Sequence, residues 1–343
     1  MATNKIVHGN QESFFGFAQE ATFGTAIADT AAFVRFECAI PTSIDYGVFM
    51  DNNYKNSGSR VLEDGEQYYT QSGGTRVISV SDIIVRQDDA AEIAYAVMQQ
   101  CTEAATTDYQ KTFSWVGVAG TETTQVDVSA NAGYFATLGI YDPIASSSHK
   151  FTSCVARSAE FHWDLLGGDP RLKANVEYIS GHAASSVANF SGAWTRNTQS
   201  YFDMSAPTFF SIGGTDVVVY AASIKLNNNA ARVGYTTGGV CETFSFGPYE
   251  TTISLTLKWD AATFGLIGDM NAGTGKAIIL GVGADSTDGH FKIVTGPARI
   301  TSAPKDYSAE VGQTIQIEAT VGANSSTGAH TLITIADAND QSW

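Results

Sequence analysis

The chain has 343 residues, enough for a sizeable core and, at the usual domain scale, for two domains. Lys and Arg total 19 against 35 for Asp and Glu, a net charge of −16, which excludes a surface built to grip nucleic acid, since phosphate binding needs basic neutralisation. Apolar residues make up 43 % and charged residues only 16 %, a mixture that suits strands joined by turns when Gly, Ser, Thr and Asn are this plentiful.

The opening MATNKIVHGNQES carries one lysine and no apolar run behind it, so no secretory signal is expected, and AIILGVGA, among the longest apolar stretches, is far below membrane-spanning length. Folding in a cytoplasm is the expectation, and the sequons at Asn189 and Asn324 then carry no meaning. After GFAQEATFGTAIADTAAFVRF (16–36) comes an apolar strand AFVRFECAI, an Asn-bearing loop MDNNYKNSGSR, a strand in GGTRVISVSDIIV, and a helix in DDAAEIAYAVMQQC. Asp89 and Glu92 read as its capping pair, and Ile93, Val97 and Cys101 recur at helical spacing beside Ala94 and Met98, the stripe of a packing helix. EFHWDL and LKANVEY alternate with period two, and the intervening LGGDPR favours a tight reversal, so the two runs form a hairpin with Glu160, Asp164 and Glu177 on its polar face. The second half brings DVVVYAASIKL, a loop NNNAARVGYTTGG, the alternating strand ETTISLTLKW, an Asp-initiated helix DAATFGLIGDMN and the strand TIQIEATV. In TISLTLKW the buried face falls on Ile253, Leu255, Leu257 and Trp259.

Windows 31–101 and 216–271 thus share the order strand, long polar loop, strand, short helix, and further strands come after each. This reads as a degenerate duplication with its seam in HAASSVANFSGAWTRNTQS, dividing the chain into 1–190, with an N-terminal arm, and 191–343.

Motifs that carry chemistry are scarce. Cys38, Cys101, Cys154 and Cys241 form no CxxC or Cys/His pair and read as buried free thiols. The six histidines show no HExxH or HxH pairing and default to surface or hairpin roles. GTGKA has Met270 where a phosphate loop needs Gly and Ala277 where it needs Ser or Thr. GVGADSTDG lacks the third glycine of a dinucleotide fingerprint and the spacing of a calcium loop. EDGE at 63–66 offers paired carboxylates in a Gly-containing loop, the ordinary habit of solvated acids, and no GxSxG elbow is present. The expectation is a protein that is not an enzyme and carries no cofactor or metal.

QEATFGTAIADTAAFVRF, followed by NNYKNSGSR, GGTRVISVSDIIV and the helix at 89–101, resembles the start of bacteriophage tail tube proteins of long non-contractile tails, in which an early Glu-x-x-Phe/Tyr-Gly-Thr segment precedes the first strand. KFTSCVARSAEFHWDLLGG is similar to the family's mid-chain strand and hairpin, and VVVYAASIKLNNNA to its strand ending in Asn-Asn, whereas 102–150 carries little resemblance. The resemblance implies a mainly β fold with short packing helices, arranged as two tandem tail-tube-like β-sandwich or split-barrel domains. It implies a structural virion protein in the phage tail, assembled in the host cytoplasm, whose copies close into rings that stack around a channel for DNA in transit. Tape measure, terminator and distal tail protein are the implied partners, with no membrane. Duplicated tube domains make the expected ring a trimer with pseudo-six-fold symmetry, preferred to a hexamer.

Under this reading Glu160, Asp164 and Glu177 are candidates to face the lumen, where negative charge repels phosphate and lets DNA slide. The loops 42–72 and 227–247 are too long for simple turns, so Asp51, Asn52, Asn53, Tyr54, Lys55, Arg60, Asn227, Asn228, Asn229 and Arg232 are candidates for contacts between rings. A β-sandwich adhesin that binds a receptor or glycan, or another tail component of the same fold, such as a terminator or distal tail protein, is the alternative.

Overall fold

Alternating burial along Arg76–Ile84, Asp169–Ser180, Val219–Asn227, Glu250–Lys258, Thr314–Val321 and the second half of Ser148–Asp164 gives one apolar and one polar face there, whereas Ala136–Tyr141 and the first half of Ser148–Asp164 are buried on both faces. The computed structural model describes residues 14–37, 43–45, 49–52, 67–70, 76–104, 109–116, 134–141, 148–182, 185–187, 190, 192–196, 199–205, 208–235, 241–284, 287–307 and 313–337. The first half contains β1 (Phe14–Gln19), β2 (Phe33–Arg35), β3 (Ser43–Asp45), the ribbon of β4 (Phe49–Asn52) and β5 (Gln67–Thr70), β6 (Arg76–Ile84) and α1 (Gln87–Met98). It continues with β7 (Thr102–Ala104), β8 (Tyr109–Val116), β9 (Ala136–Tyr141), β10 (Ser148–Asp164), β11 (Asp169–Ser180), β12 (Ser185–Val187) and β13 (Trp194–Arg196). The second half contains β14 (Phe209–Ile212), β15 (Thr215–Asp216), β16 (Val219–Asn227), the ribbon of β17 (Ala231–Tyr235) and β18 (Cys241–Ser245), β19 (Glu250–Lys258) and α2 (Ala261–Ala272). It ends with β20 (Ile278–Val282), β21 (His290–Thr295), β22 (Ala298–Ser302), β23 (Lys305–Asp306), β24 (Thr314–Val321) and β25 (Ala329–Asp337).

The fold is mainly β, with two short helices among the described residues. In the largest sheet an arc of eight antiparallel strands runs β3-β6-β11-β10-β16-β19-β24-β22. Its left four and right four strands stand in the same order: a strand after the first two short ones, the strand before the helix, then the second and first strands of a hairpin. The flanking strands repeat too, as β2-β1-β9-β10-β12 in one half and β15-β14-β20-β21-β25 in the other. β10 is one continuous strand whose start pairs β9 and β12 and whose end pairs β11 and β16. The second half splits the same path into β21 and β22 at Gly296-Pro297, as expected where proline cannot donate to a ladder. β7 and β8, in the stretch where the sequence resembles little, have no partner in this correspondence, and β8 pairs with β25 of the second half.

The halves share one core. A single hydrophobic cluster takes in Phe15, Ile78, Val97, Phe161 and Leu172 together with Ile224, Leu255, Ile317 and Ile335. The seam is packed rather than loose: β12 and β13 fall within it, β13 lies parallel to β2, and Trp194 stacks on Phe33 at 5.2 Å with Phe190 against the same ring.

The expected β10–β11 hairpin is present, with Asp164 Oδ1 accepting from the amides of Leu166 and Gly167 and Gly168 at φ +79° completing the reversal. α2 starts as the sequence indicates, with Asp260 accepting from the Thr263 amide at 3.1 Å, and stops at Gly273 in the left-handed region. α1 differs: it begins at Gln87, and Asp89 accepts from the Arg86 amide rather than pairing with Glu92, because Arg86 takes the N-cap position and places Asp89 at the third helical residue. Cys154 and Cys241 are buried and Cys101 is half-buried; Cys38 lies outside the described residues, as do EDGE and His8. His290 and His330 are buried rather than on the surface, His290 bonded through Nε2 to Thr334 at 3.0 Å, because the sheets close over both strands that carry them. No helix among the described residues is long and apolar enough to cross a membrane.

Candidate functional site

The eight-stranded arc turns its apolar face to the core, so its other face is a broad polar surface that crosses both halves. Ser158, Glu160 and His162 of β10 stand beside Glu177, Asn175 and Lys173 of β11 and, on the other side, Asn227, Lys225 and Ser223 of β16. The row continues through Thr252 and Ser254 of β19 to Thr320 and Glu318 of β24 and ends on exposed Arg299 and Thr301 of β22. Over five of its strands the face holds a trough of about 340 Å³ lined by Glu160, Lys225, Ser254, Thr301, Glu318 and Thr320.

The three acidic candidates share this face, each engaged within its own sheet. Burial alone would raise the Glu160 carboxyl, but hydrogen bonds from Ser223 and Asn175, with His162 and Lys225 close by, outweigh it and hold Glu160 below its ordinary value. Glu177 meets Arg157 at 3.4 Å, and Asp164 closes its turn. Two of the cations are matched in the same way: Lys173 Nζ lies 3.0 Å from Asp169, and Lys225 stands directly opposite Glu160. The surface is therefore mixed and locally neutralised rather than uniformly acidic, and much of it is short hydroxyl side chains.

The ribbon β4–β5 carries Asp51 and Asn52, while Asn53, Tyr54, Lys55 and Arg60 lie outside the described residues. In the corresponding second-half loop the ribbon β17–β18 is tied down at its base, where Ala230, Cys241 and Phe244 pack with Val155 and Ile179. Asn228 is fully buried and donates from Nδ2 to the carbonyls of Val97 and Ala156, both at 2.8 Å, while its Oδ1 takes the amide of Ala230. Its bonds fasten the end of α1 to the β10–β16 junction, so its side chain is spent inside the chain. Arg232 is buried as well, with Nη2 on the Gly181 carbonyl at 3.1 Å. Asn227 and Asn229 bond each other, and Asn229 Nδ2 reaches the Pro248 carbonyl.

Sequence reasoning assigned no role to Glu20, yet the Glu-x-x-Phe-Gly-Thr segment is a structural lock. The Glu20 carboxylate is buried and accepts from Thr137 Oγ1 at 2.6 Å, the Ser153 amide at 2.7 Å and Ser153 Oγ at 2.8 Å. Burial pushes it above its ordinary value, against those bonds and the charge of Lys150. Phe23 wedges edge-on between Phe135 and Phe244, and Gly24, at φ +82°, donates its amide to Ser153 Oγ. The segment thus joins the first half's outer strands to the base of the second half's ribbon. Nothing local in the sequence marks these partners, which lie more than a hundred positions away.

Among the described residues the arc ends on two strands with an unpaired outer edge over most of their length, β3 and β22. Exposed Asp45 sits on one and exposed Arg299 on the other. Among the described residues no group of three or more His, Cys, Asp and Glu is placed to hold a metal ion. Neither a family model nor a curated protein matches the chain.

Proposed function

We propose that this chain is a subunit of a bacteriophage tail tube, built of two tandem tube-like domains, in which three chains close into a ring and rings stack around a channel for DNA. The observation that carries the reading is the arc: one strand order occurs twice, joined at β10–β16, and the outer strands left over, β22 and β3, are the counterparts of that joined pair. A second chain adding β3 to β22 repeats the internal joint and removes the exposed edges. Three chains of eight strands give twenty-four, beyond the roughly 16–18 that already leave a barrel with an aqueous lumen. The polar face then lines that lumen. Its matched lysines and short hydroxyls offer DNA little to hold, in keeping with the chain's negative charge.

The test is assembly of the purified chain. Electron micrographs should show rings or tubes, and the native mass of a dissociated ring should equal three chains. Six chains per ring would refute the duplication as the basis of closure, and a persistent small oligomer that binds a glycan would favour the adhesin instead.

A further inference from the structure

The two helices come after equivalent strands, but their first turns meet different surroundings. The start of α1 is covered by the stretch leading into β14. The Gln87 amide donates to the Ser200 carbonyl, Arg86 Nη1 to Gln199 O at 2.6 Å, and the amides of Leu172 and Met204 to the carbonyls of Phe202 and Pro170. Phe202 and Met204 are buried, the former against Phe291 at 5.3 Å, and Ala90 and Ala91 beneath are fully covered.

At the start of α2 an aromatic cluster stands open. Phe264 is 64 % exposed and Tyr307 73 %, although Phe264 meets Trp259 edge-on at 5.8 Å and Lys305 Nζ lies 4.0 Å over Trp259 and 4.3 Å over Tyr307. Of the helix itself only Thr263 and Leu266 are buried. Exposed aromatics gathered around a cation are the anchors of protein interfaces rather than of free surface. The cluster also adjoins the open edge of the arc, since β23 pairs with the start of β24 and α2 packs on β22.

The internal repeat says what belongs there. β14 corresponds to β1, so the stretch before β14 corresponds to residues 1–13. The buried Phe202 precedes Phe209, the first residue of β14, by the same interval at which Val7 precedes Phe14, the first residue of β1, whereas its neighbour Tyr201 is 46 % exposed. We propose that the start of α2 is the docking site for residues 1–13 of a second copy of this chain, with Val7 seated on Phe264 and Tyr307. The occupant comes from a second copy because the first half is covered by the stretch that leads into the second, and in the closed ring the half beside the second is another chain's first. Thirteen extended residues span up to about 43 Å. The proposal rests on the ring reading above.

The test mixes two full-length variants, Val7→Cys and Phe264→Cys, under a mild thiol oxidant, with wild type assembled alongside. A disulfide-linked pair containing one chain of each variant is the expected product, absent when either variant is oxidised alone. Phe264→Glu should raise the concentration needed for assembly about tenfold while its melting curve as a monomer stays at the wild-type position. Rings from wild type without the mixed disulfide would overturn the docking site and leave the ring reading standing. A mixed disulfide without rings would do the reverse. A chain carrying both cysteines that closes the bond within itself at high dilution, in preference to the mixed pair, would also overturn the proposal.

Discussion

α1 and α2 occupy the same place in the repeated order of elements, yet one is almost wholly buried and the other keeps only one side, with Thr263 and Leu266, against the core. α1 lies between the arc and the sheet that holds β8 and β25, with Ala90, Ile93, Ala94 and Val97 all covered. α2 rests on β22 alone among its larger contacts and leaves Ala261, Phe264, Gly265 and Gly268 exposed. The difference does not come from hydrophobicity, since AATFGLIGDMNA is an apolar sequence. It comes from position: α1 lies between two sheets, in contact with β10, β8 and β25, whereas α2 has β22 on one side. The same kind of element is core or surface according to whether a second sheet covers it.

Three measurements put that contrast at risk, beginning with the largest effect. Ile93→Ala should cost about 3 kcal/mol, the usual result of emptying a closed core site, whereas Phe264→Ala in the dissociated chain should cost less than about 0.5 kcal/mol. Chemical denaturation of both variants decides it, and similar losses would mean that α2 is buried in the isolated chain after all.

Next, Asn228→Ala removes the donor to two buried carbonyls at the end of α1 and should cost about 2 kcal/mol. Asn271→Ala, on the exposed face of α2, should lie within about 0.5 kcal/mol of wild type. A neutral Asn228→Ala would show that the junction does not depend on this bracket.

The smallest effect is in pH. Glu92 of α1 has a buried carboxyl oxygen, and burial, helped by the charges of Asp89 and Asp88, pushes it up to about 8 despite its hydrogen bond with Tyr134 and the charge of Lys111. Because the folded value exceeds the ordinary 4.5, the group's contribution is complete below about pH 4.5 and is lost as pH rises through about 8. The melting temperature should fall between pH 5 and 9, and Glu92→Gln should flatten that slope. A wild-type melting temperature that rose over this interval would contradict the assignment.

The strands with strict alternation, β10, β11, β19 and β24, were legible because one residue in two faces the core whatever lies opposite. So was α2, whose caps, Asp260 and Gly273, are local signals. The candidate face was legible only in part: Glu160 and Glu177 share a polar side by hairpin periodicity, but their neighbours Ser223 and Lys225 arrive from a strand whose pairing no local pattern announces. Asn228 was misleading for a related reason. An Asn-rich loop reads as exposed, and its bond to Val97 spans 131 positions. β7 and β8 were illegible because they have no counterpart in the other half against which to be read.

β8 also sets a clock for the nascent chain. Its hairpin partner β7 is made at once, but the other edge of β8 waits for β25, whose Ile335 pairs with Lys111 and whose Ile333 pairs with Phe113. Roughly 220 residues must leave the ribosome in between, which at about 5–20 residues per second takes on the order of 10–40 seconds. For that interval the strand bearing Phe113 and Trp115 has an open edge, and of its final neighbours only α1, through Tyr95 against Phe113, and β7 are already made. Synthesis rate, and whatever shields β8 during it, therefore governs how much of the chain reaches its native pairing instead of pairing with a neighbour on the same polysome.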